Sequence, residues 1–383
     1  MEQATYIPTV QLRSATQPVM TIEDVTVGVP RPYGRPARDR QEPAAQPRGD
    51  SVRLRGHLSI ASTQAFDWLV DHFQPLGYTP ILRKDADGER DVVLAMPGMF
   101  SPARQRIGVA AVLFAATVLS CVYVGAQLAA DIYAIRINLL DGVPYAVSLL
   151  AILLAHELGH YVVGRRLRAP LSLPYFLPLP VPPLGTLGAV ITMSGPVRNR
   201  RHLLAIAAAG PLAGLAVAIP VLLIGLSMSS VQPLPTTGQY MAEGNSLIYA
   251  ALKFIVFGQL LPSNGIDVVI SPIAFAGWAG ILVTGLNLIP AGQLDGGHIV
   301  YALVGARVAR YVLWAVLAAL AVLSIFWQGW LIWIVLIFLF GRTRLAPLDE
   351  VTELTPRQKV FAAAMLVLFL LVFTPVPMAV VGG

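Results

Sequence analysis

The sequence predicts a mainly α-helical multi-pass membrane protein of about six to seven spans, with a re-entrant β-loop and a small α+β N-terminal domain. Apolar residues make up 56% of the chain, charged residues only 13%, and the mean hydropathy is +0.67, too apolar for an ordinary soluble domain. Apolar runs of bilayer length recur from residue 108 onward. The arginines cluster at the ends of those runs, so the net charge of +6 reads as a topological signal rather than a nucleic-acid stripe.

Residues 1–50 hold seven prolines, several arginines and few aliphatics, the composition of a disordered tail. The start, Met1-Glu-Gln-Ala-Thr5, lacks the basic and apolar regions of a cleavable signal peptide, so the first span is expected to act as the insertion signal. Residues 51–100 change character. Arg53 to Ile60 alternates, Thr63 to Phe73 has helical spacing, and two further apolar stretches flank the turn Asp85-Ala-Asp-Gly88, which predicts a small cytoplasmic βαββ domain. His57 and His72 stand apart there and read as solvated or structural.

Spans are expected near 108–130, 144–164, 203–226, 272–290, 309–327, 329–341 and 360–378, the sixth of them short. With the N-terminus in the cytoplasm, nearly all basic residues flanking these spans fall on the cytoplasmic side; Arg136 and Lys253 do not. The lone Cys121 lies in the first span, which leaves no disulfide framework and no cysteine metal site.

The second span ends in His156-Glu157-Leu158-Gly159-His160. A shuffled chain of this composition would contain about 0.002 copies of His-Glu-x-x-His, so chance does not explain it. On a helix His156 and His160 stack one turn apart and can share one Zn²⁺, while Glu157 faces a water beside it. A glutamate and two histidines beside an apolar run are costly unless they are paired or functional.

A catalytic zinc takes three protein ligands. The best candidate for the third is Asp295, in Asn287-Leu-Ile-Pro-Ala-Gly-Gln-Leu-Asp-Gly-Gly-His298, where a carboxylate follows an apolar span and the helix breakers Pro290 and Gly292. Irregular backbone at membrane depth is tolerated only against protein or a water-filled cavity. Taken alone, an Asp-Gly pair is more often an ordinary loop.

Six prolines between Pro170 and Pro183 forbid a regular helix, and Gly185 to Met193 is β-prone and too short to span. Residues 170–195 are therefore expected to re-enter the membrane, within a core of residues 101–300; a cytoplasmic loop packed on the bundle is the alternative. Residues 301–383 are read as additional C-terminal transmembrane helices. Gly210-Pro-Leu-Ala-Gly214 in the third span lets helices approach closely and kinks one of them.

The two motifs, HELGH and the later Asn-Leu-Ile-Pro-Ala-Gly-Gln-Leu-Asp-Gly-Gly, resemble the paired signatures of the site-2 protease family of intramembrane zinc metalloproteases, over roughly residues 108–300. The resemblance implies that His156, His160 and Asp295 hold one Zn²⁺ and that Glu157 is the general base. It further implies that Asn287 steadies the substrate or the oxyanion, and that Leu187, Gly188, Ala189 and Val190 form a strand which pairs with an unwound substrate. The implied partners are transmembrane protein substrates within the lipid bilayer, in regulated proteolysis; nucleic acid is not among them, and the oligomeric state stays open. A prokaryotic plasma membrane is the expected location, with an organelle as the alternative. His298 is expected to support Asp295 or merely to sit at the mouth. Two rivals remain: another membrane zinc protease, such as one trimming prenylated C-termini, and a non-enzymatic transporter or scaffold.

Overall fold

The structure, a computed structural model, describes residues 2–28, 50–98, 105–235, 238, 240–341 and 346–381. The chain opens with α1 (Glu2–Thr16) and β1 (Met20–Val27), followed by β2 (Val52–Leu58), α2 (Ser62–Phe73), β3 (Tyr78–Lys84) and β4 (Asp91–Pro97). The strands form one antiparallel sheet in the order β1-β2-β4-β3. On α2 the apolar positions Phe66, Leu69 and Phe73 recur at helical spacing and are buried with Leu12, Met20, Leu54 and Val93.

This corrects the expectation of a disordered tail through residue 50. Residues 2–28 are ordered because Leu12, Val19 and Met20 enter the domain core and β1 pairs along β2. A composition averaged over fifty residues hides three well-placed apolar side chains. The proline-rich remainder, residues 29–49, lies outside the described residues.

The apolar part comprises α3 (Ile107–Tyr133), α4 (Val143–Arg166), a hairpin of β5 (Tyr175–Pro178) and β6 (Thr186–Val190), and α5 (Arg200–Ser227). Then come β7 (Ser230–Pro233), β8 (Tyr240–Glu243), α6 (Leu247–Phe257), β9 (Ile266–Val269), α7 (Pro272–Asn287), α8 (Asp295–Leu323), α9 (Trp330–Phe340), α10 (Pro356–Val372) and β10 (Met378–Val381). Every apolar segment foreseen as a span is largely helical. Among the described residues, however, only four helices are long and apolar enough to cross a membrane: α3, α4 with the turn before it, α5 and α8. At 16, 11 and 17 residues, α7, α9 and α10 fall short of the roughly 20 that a bilayer core demands. Helix α8 runs through residue 300, so the boundary drawn there between core and C-terminal helices falls inside it.

Three helices, α4, α5 and α7, make the centre, and glycines set their spacing. A Cβ at Gly159 would lie 2.5 Å from the Ala209 carbonyl oxygen, and one at Gly277 would lie 2.7 Å from the Leu222 backbone. Apolar helices gain nothing from leaving lipid for one another, so such close backbone contact supplies the attraction.

Lys253, one of the cations that the charge pattern left outside, is fully buried against the Tyr249 ring, 3.6 Å from the Asp267 carboxylate. At the opposite end of the bundle, residues 348–350 run between the N-terminal sheet and the start of α5. Leu82 N–H donates to Leu348 O, and Leu348 N–H donates to Val197 O. Arg198, just before α5, pairs with Asp67 and stacks over Phe66 of α2. On the same strip, Glu350 binds Arg83 of β3 at 3.2 Å and accepts from the Tyr301 hydroxyl of α8.

Candidate metal centre

His156 and His160 lie four residues apart on α4, so their rings project from one face in successive turns. Their Nε2 atoms are 3.2 Å apart. Asp295, the first residue of α8, brings Oδ2 to 3.3 Å from His156 Nε2 and 3.2 Å from His160 Nε2. These are the donor atoms of the His-His-Asp cluster found among the described residues.

The triangle fits a zinc ion. Bonds of about 2.0–2.1 Å in a tetrahedral site put neighbouring donors about 3.3–3.4 Å apart, which matches the observed edges within a few tenths of an ångström. The tautomer fits as well. His160 Nδ1 lies 2.8 Å from the Ile206 carbonyl oxygen, which can only accept; Nδ1 therefore carries the proton and Nε2 presents its lone pair to the centre.

The reach from α7 to Asp295 depends on three glycines. Helix α7 stops at Asn287, Gly292 takes φ +63°, and α8 begins at Asp295 tucked under that turn. A Cβ on Gly296 would strike the Leu288 carbonyl, and one on Gly297 would lie 2.6 Å from the Ala291 carbonyl. The pair after the aspartate thus lets the new helix start against the loop. At that helix start the carboxylate also meets the positive end of the helix dipole.

Glu157 is buried, near enough to His160 and Asp295 for their charges to act on it. Asn287 Nδ2 sits 3.5 Å from His156 Nε2, at the rim of the triangle. Leu187, Gly188, Ala189 and Val190 all lie on β6, paired on one side with β5 and exposed at Leu187 and Val190. His298, one turn along α8, is not among the cluster's donors. His57 pairs with Glu23 on the surface and His72 stacks on Trp68, both away from the centre.

Sequence reasoning did not find the partners that hold the rings. Ile206 acts through its backbone oxygen, which leaves no residue-type signal. Gly210 and Gly214 were read as sites of helix approach; they face the imidazoles themselves, a Cβ on Gly214 lying 3.1 Å from His156 Nδ1.

A buried and a largely buried imidazole on α4 and an aspartate at the start of α8 bring together a donor set that could hold a metal ion. Residues 144–326 match the model of peptidase family M50, so the resemblance to the site-2 protease family holds for this region. The probable zinc metalloprotease EGY2, chloroplastic, of Arabidopsis thaliana is 35% identical over 246 residues, 63% of this chain and 43% of that protein. Its namesake in Oryza sativa subsp. indica is 32% identical over 62% of this chain and 43% of its own length. The probable zinc metalloprotease EGY1, chloroplastic, of Arabidopsis thaliana is 30% identical over 61% and 43%. The chain thus matches less than half the length of these relatives. No solved structure matches. The relatives are named as chloroplastic, which lends no support to the expected prokaryotic plasma membrane.

Proposed function

We propose that the chain is an intramembrane zinc metalloprotease that hydrolyses peptide bonds within transmembrane segments, as one step of regulated proteolysis. The observation that carries this reading is the convergence of His156 and His160 of α4 with Asp295 of α8, with Glu157 beside them. A zinc ion held by these three would polarise the scissile carbonyl as a Lewis acid and acidify the attacking water.

Glu157 takes the proton from that water as its oxygen bonds to the carbonyl carbon, and returns it to the amide nitrogen as the C–N bond breaks. Asn287 donates toward the oxygen that gains charge. Helices α4, α5 and α7 exclude lipid from these groups.

Substrate is held along β6. The tip of the hairpin is fixed where the Tyr145 hydroxyl donates to Leu184 O at 2.9 Å, and its base where Leu171 packs on Gly164. Tyr145 and Gly164 are about 28 Å apart along α4 at 1.5 Å per residue, close to the depth of a bilayer core, which supports re-entry of residues 170–195. At about 3.3 Å per strand residue, Ala189 falls roughly 16 Å from the tip, level with His156 on α4. A transmembrane segment unwound against Leu187–Val190 would present its backbone at the height of the metal ligands.

The test uses the purified full chain and a single-span reporter. Glu157→Gln is expected to keep one zinc per chain by elemental analysis and to lose cleavage, whereas Asp295→Ala loses both. Robust cleavage by Glu157→Gln protein contradicts the assignment.

A further inference from the structure

Helices α8 and α9, with Ala346 and Glu350, line a half-open cavity of about 580 Å³, inside the roughly 300–1,000 Å³ range usual for ligand sites. It is separate from the metal centre: none of His156, Glu157, His160 and Asp295 lines it. Its α8 wall is Arg310, Leu313, Trp314 and Leu317, spaced i, i+3, i+4 and i+7 and so on one face. The opposite wall is Phe338 of α9, whose ring meets Trp314 edge to face at 6.3 Å. Gly305 makes room for the bend above them, with φ +78° inside α8.

The cavity is polar at one end and apolar at the other. At the polar end, Glu350 is already committed to Arg83 and Tyr301 and does not neutralise Arg310. The Arg310 guanidinium has no ion pair or hydrogen bond among the described residues and is exposed. Beyond it the lining is aliphatic and aromatic for about 10 Å along α8. Arg307 and Arg310 belong to the basic residues that the charge pattern puts on the cytoplasmic side, where a leaflet carries its anionic headgroups. Trp314, 52% exposed, stands one turn deeper, the level at which tryptophans anchor in bilayers.

We propose that this cavity binds an anionic phospholipid, with the headgroup phosphate on Arg310 and an acyl chain along Leu313, Trp314, Leu317 and Phe338. A free soluble anion has no use for the apolar wall, and a neutral lipid has none for a guanidinium without a partner among the described residues. The occupant is thus singled out by a cation and a hydrophobic slot in line at the membrane boundary. The proposal needs the membrane reading of α8 but not the peptidase reading.

The experiment reconstitutes the full chain into vesicles of equal parts phosphatidylcholine and phosphatidylglycerol, then counts lipids retained per chain by native mass spectrometry after mild extraction. Wild-type protein is expected to retain phosphatidylglycerol in preference. Arg310→Gln should reduce that preference about fivefold, the factor that roughly 1 kcal/mol for one interfacial cation represents. Arg310→Lys should preserve most of it, and Arg307→Gln, three residues earlier but outside the lining, should leave it unchanged. A wild-type circular-dichroism spectrum and melting temperature certify that each variant is folded; should Arg310→Gln fail that check, Trp314→Ala, expected to lower retention of both lipids, takes its place. Equal retention of the two lipids by wild type, an undiminished preference in Arg310→Gln, or a dimer that excludes lipid from the groove would overturn the proposal.

Discussion

Gly210 faces the imidazole of His160 so closely that a Cβ there would overlap Nε2, the atom aimed at the metal centre. The nearest approach of real Cβ atoms is 3.0 Å, and the ring has no room to yield: its Nδ1 is tied to Ile206 and its Nε2 to Asp295. The glycine of α5 is therefore part of the metal site without donating an atom to it.

Replacing Gly210 by alanine is expected to displace His160 and to lower zinc occupancy far more than the fold. Gly214→Ala, with 3.1 Å to His156 Nδ1, should retain metal but bind it more weakly. Elemental analysis together with thermal melting separates the two effects; full occupancy in Gly210→Ala would show that the ring can move aside.

A methyl on Gly159 would press on the Ala209 carbonyl at 2.5 Å and wedge α4 from α5. The expected cost is about 1–3 kcal/mol, the usual range for overpacking, and it should appear as a lower melting temperature in a lipid nanodisc. Because the shift also moves His160 relative to Ile206, activity should fall further than stability does.

The N-terminal domain is held to the membrane part by Arg198, which pairs with Asp67, donates to Thr63 O at 3.4 Å and stacks 5.6 Å from the Phe66 ring. Arg198→Ala should loosen that docking, and limited proteolysis should then cut ahead of α3 more readily. Asp67→Asn is expected to have a smaller effect, since the backbone contact and the ring contact survive it.

Asp349 lies fully buried on the connecting strip, and burial raises its carboxyl above the ordinary range against the lowering effect of N–H donors from Val351 and Thr352. A folded pKa raised above the unfolded one means that ionisation costs stability at neutral pH, and that the cost fades as pH falls through the raised value toward the ordinary aspartate range. Asp349→Asn, which keeps an acceptor for both N–H groups, should be no less stable than wild type at neutral pH. Its advantage should shrink in mildly acidic buffer, as followed by melting curves across that interval.

Much of the site was legible because its central geometry is local. Four residues make just over a helical turn, so His-Glu-x-x-His inside an apolar run already puts two imidazoles on one face at membrane depth. Mean hydropathy and the placement of arginines likewise depend on composition alone, and they led to a helical membrane protein without any knowledge of contacts. The proline-rich stretch between the second and third spans announced an irregular segment through proline's missing N–H.

Long-range packing decided the rest. That Asp295 meets His160 follows from glycine-permitted contacts at Gly292, Gly296 and Gly297, and that the rings are held follows from Ile206, Gly210 and Gly214. Hydropathy registers apolar length alone, so it does not separate the four helices of membrane-crossing length from α7, which is shorter and whose apolar residues are buried in the bundle centre. Likewise β1 escaped notice because an edge strand is defined by its partner, and β2 lies beyond a proline-rich stretch that dominates the local composition. Periodicity encodes which face of an element is apolar; only the assembled fold selects which other face it meets, because that choice is made by the fit of surfaces far apart in the chain.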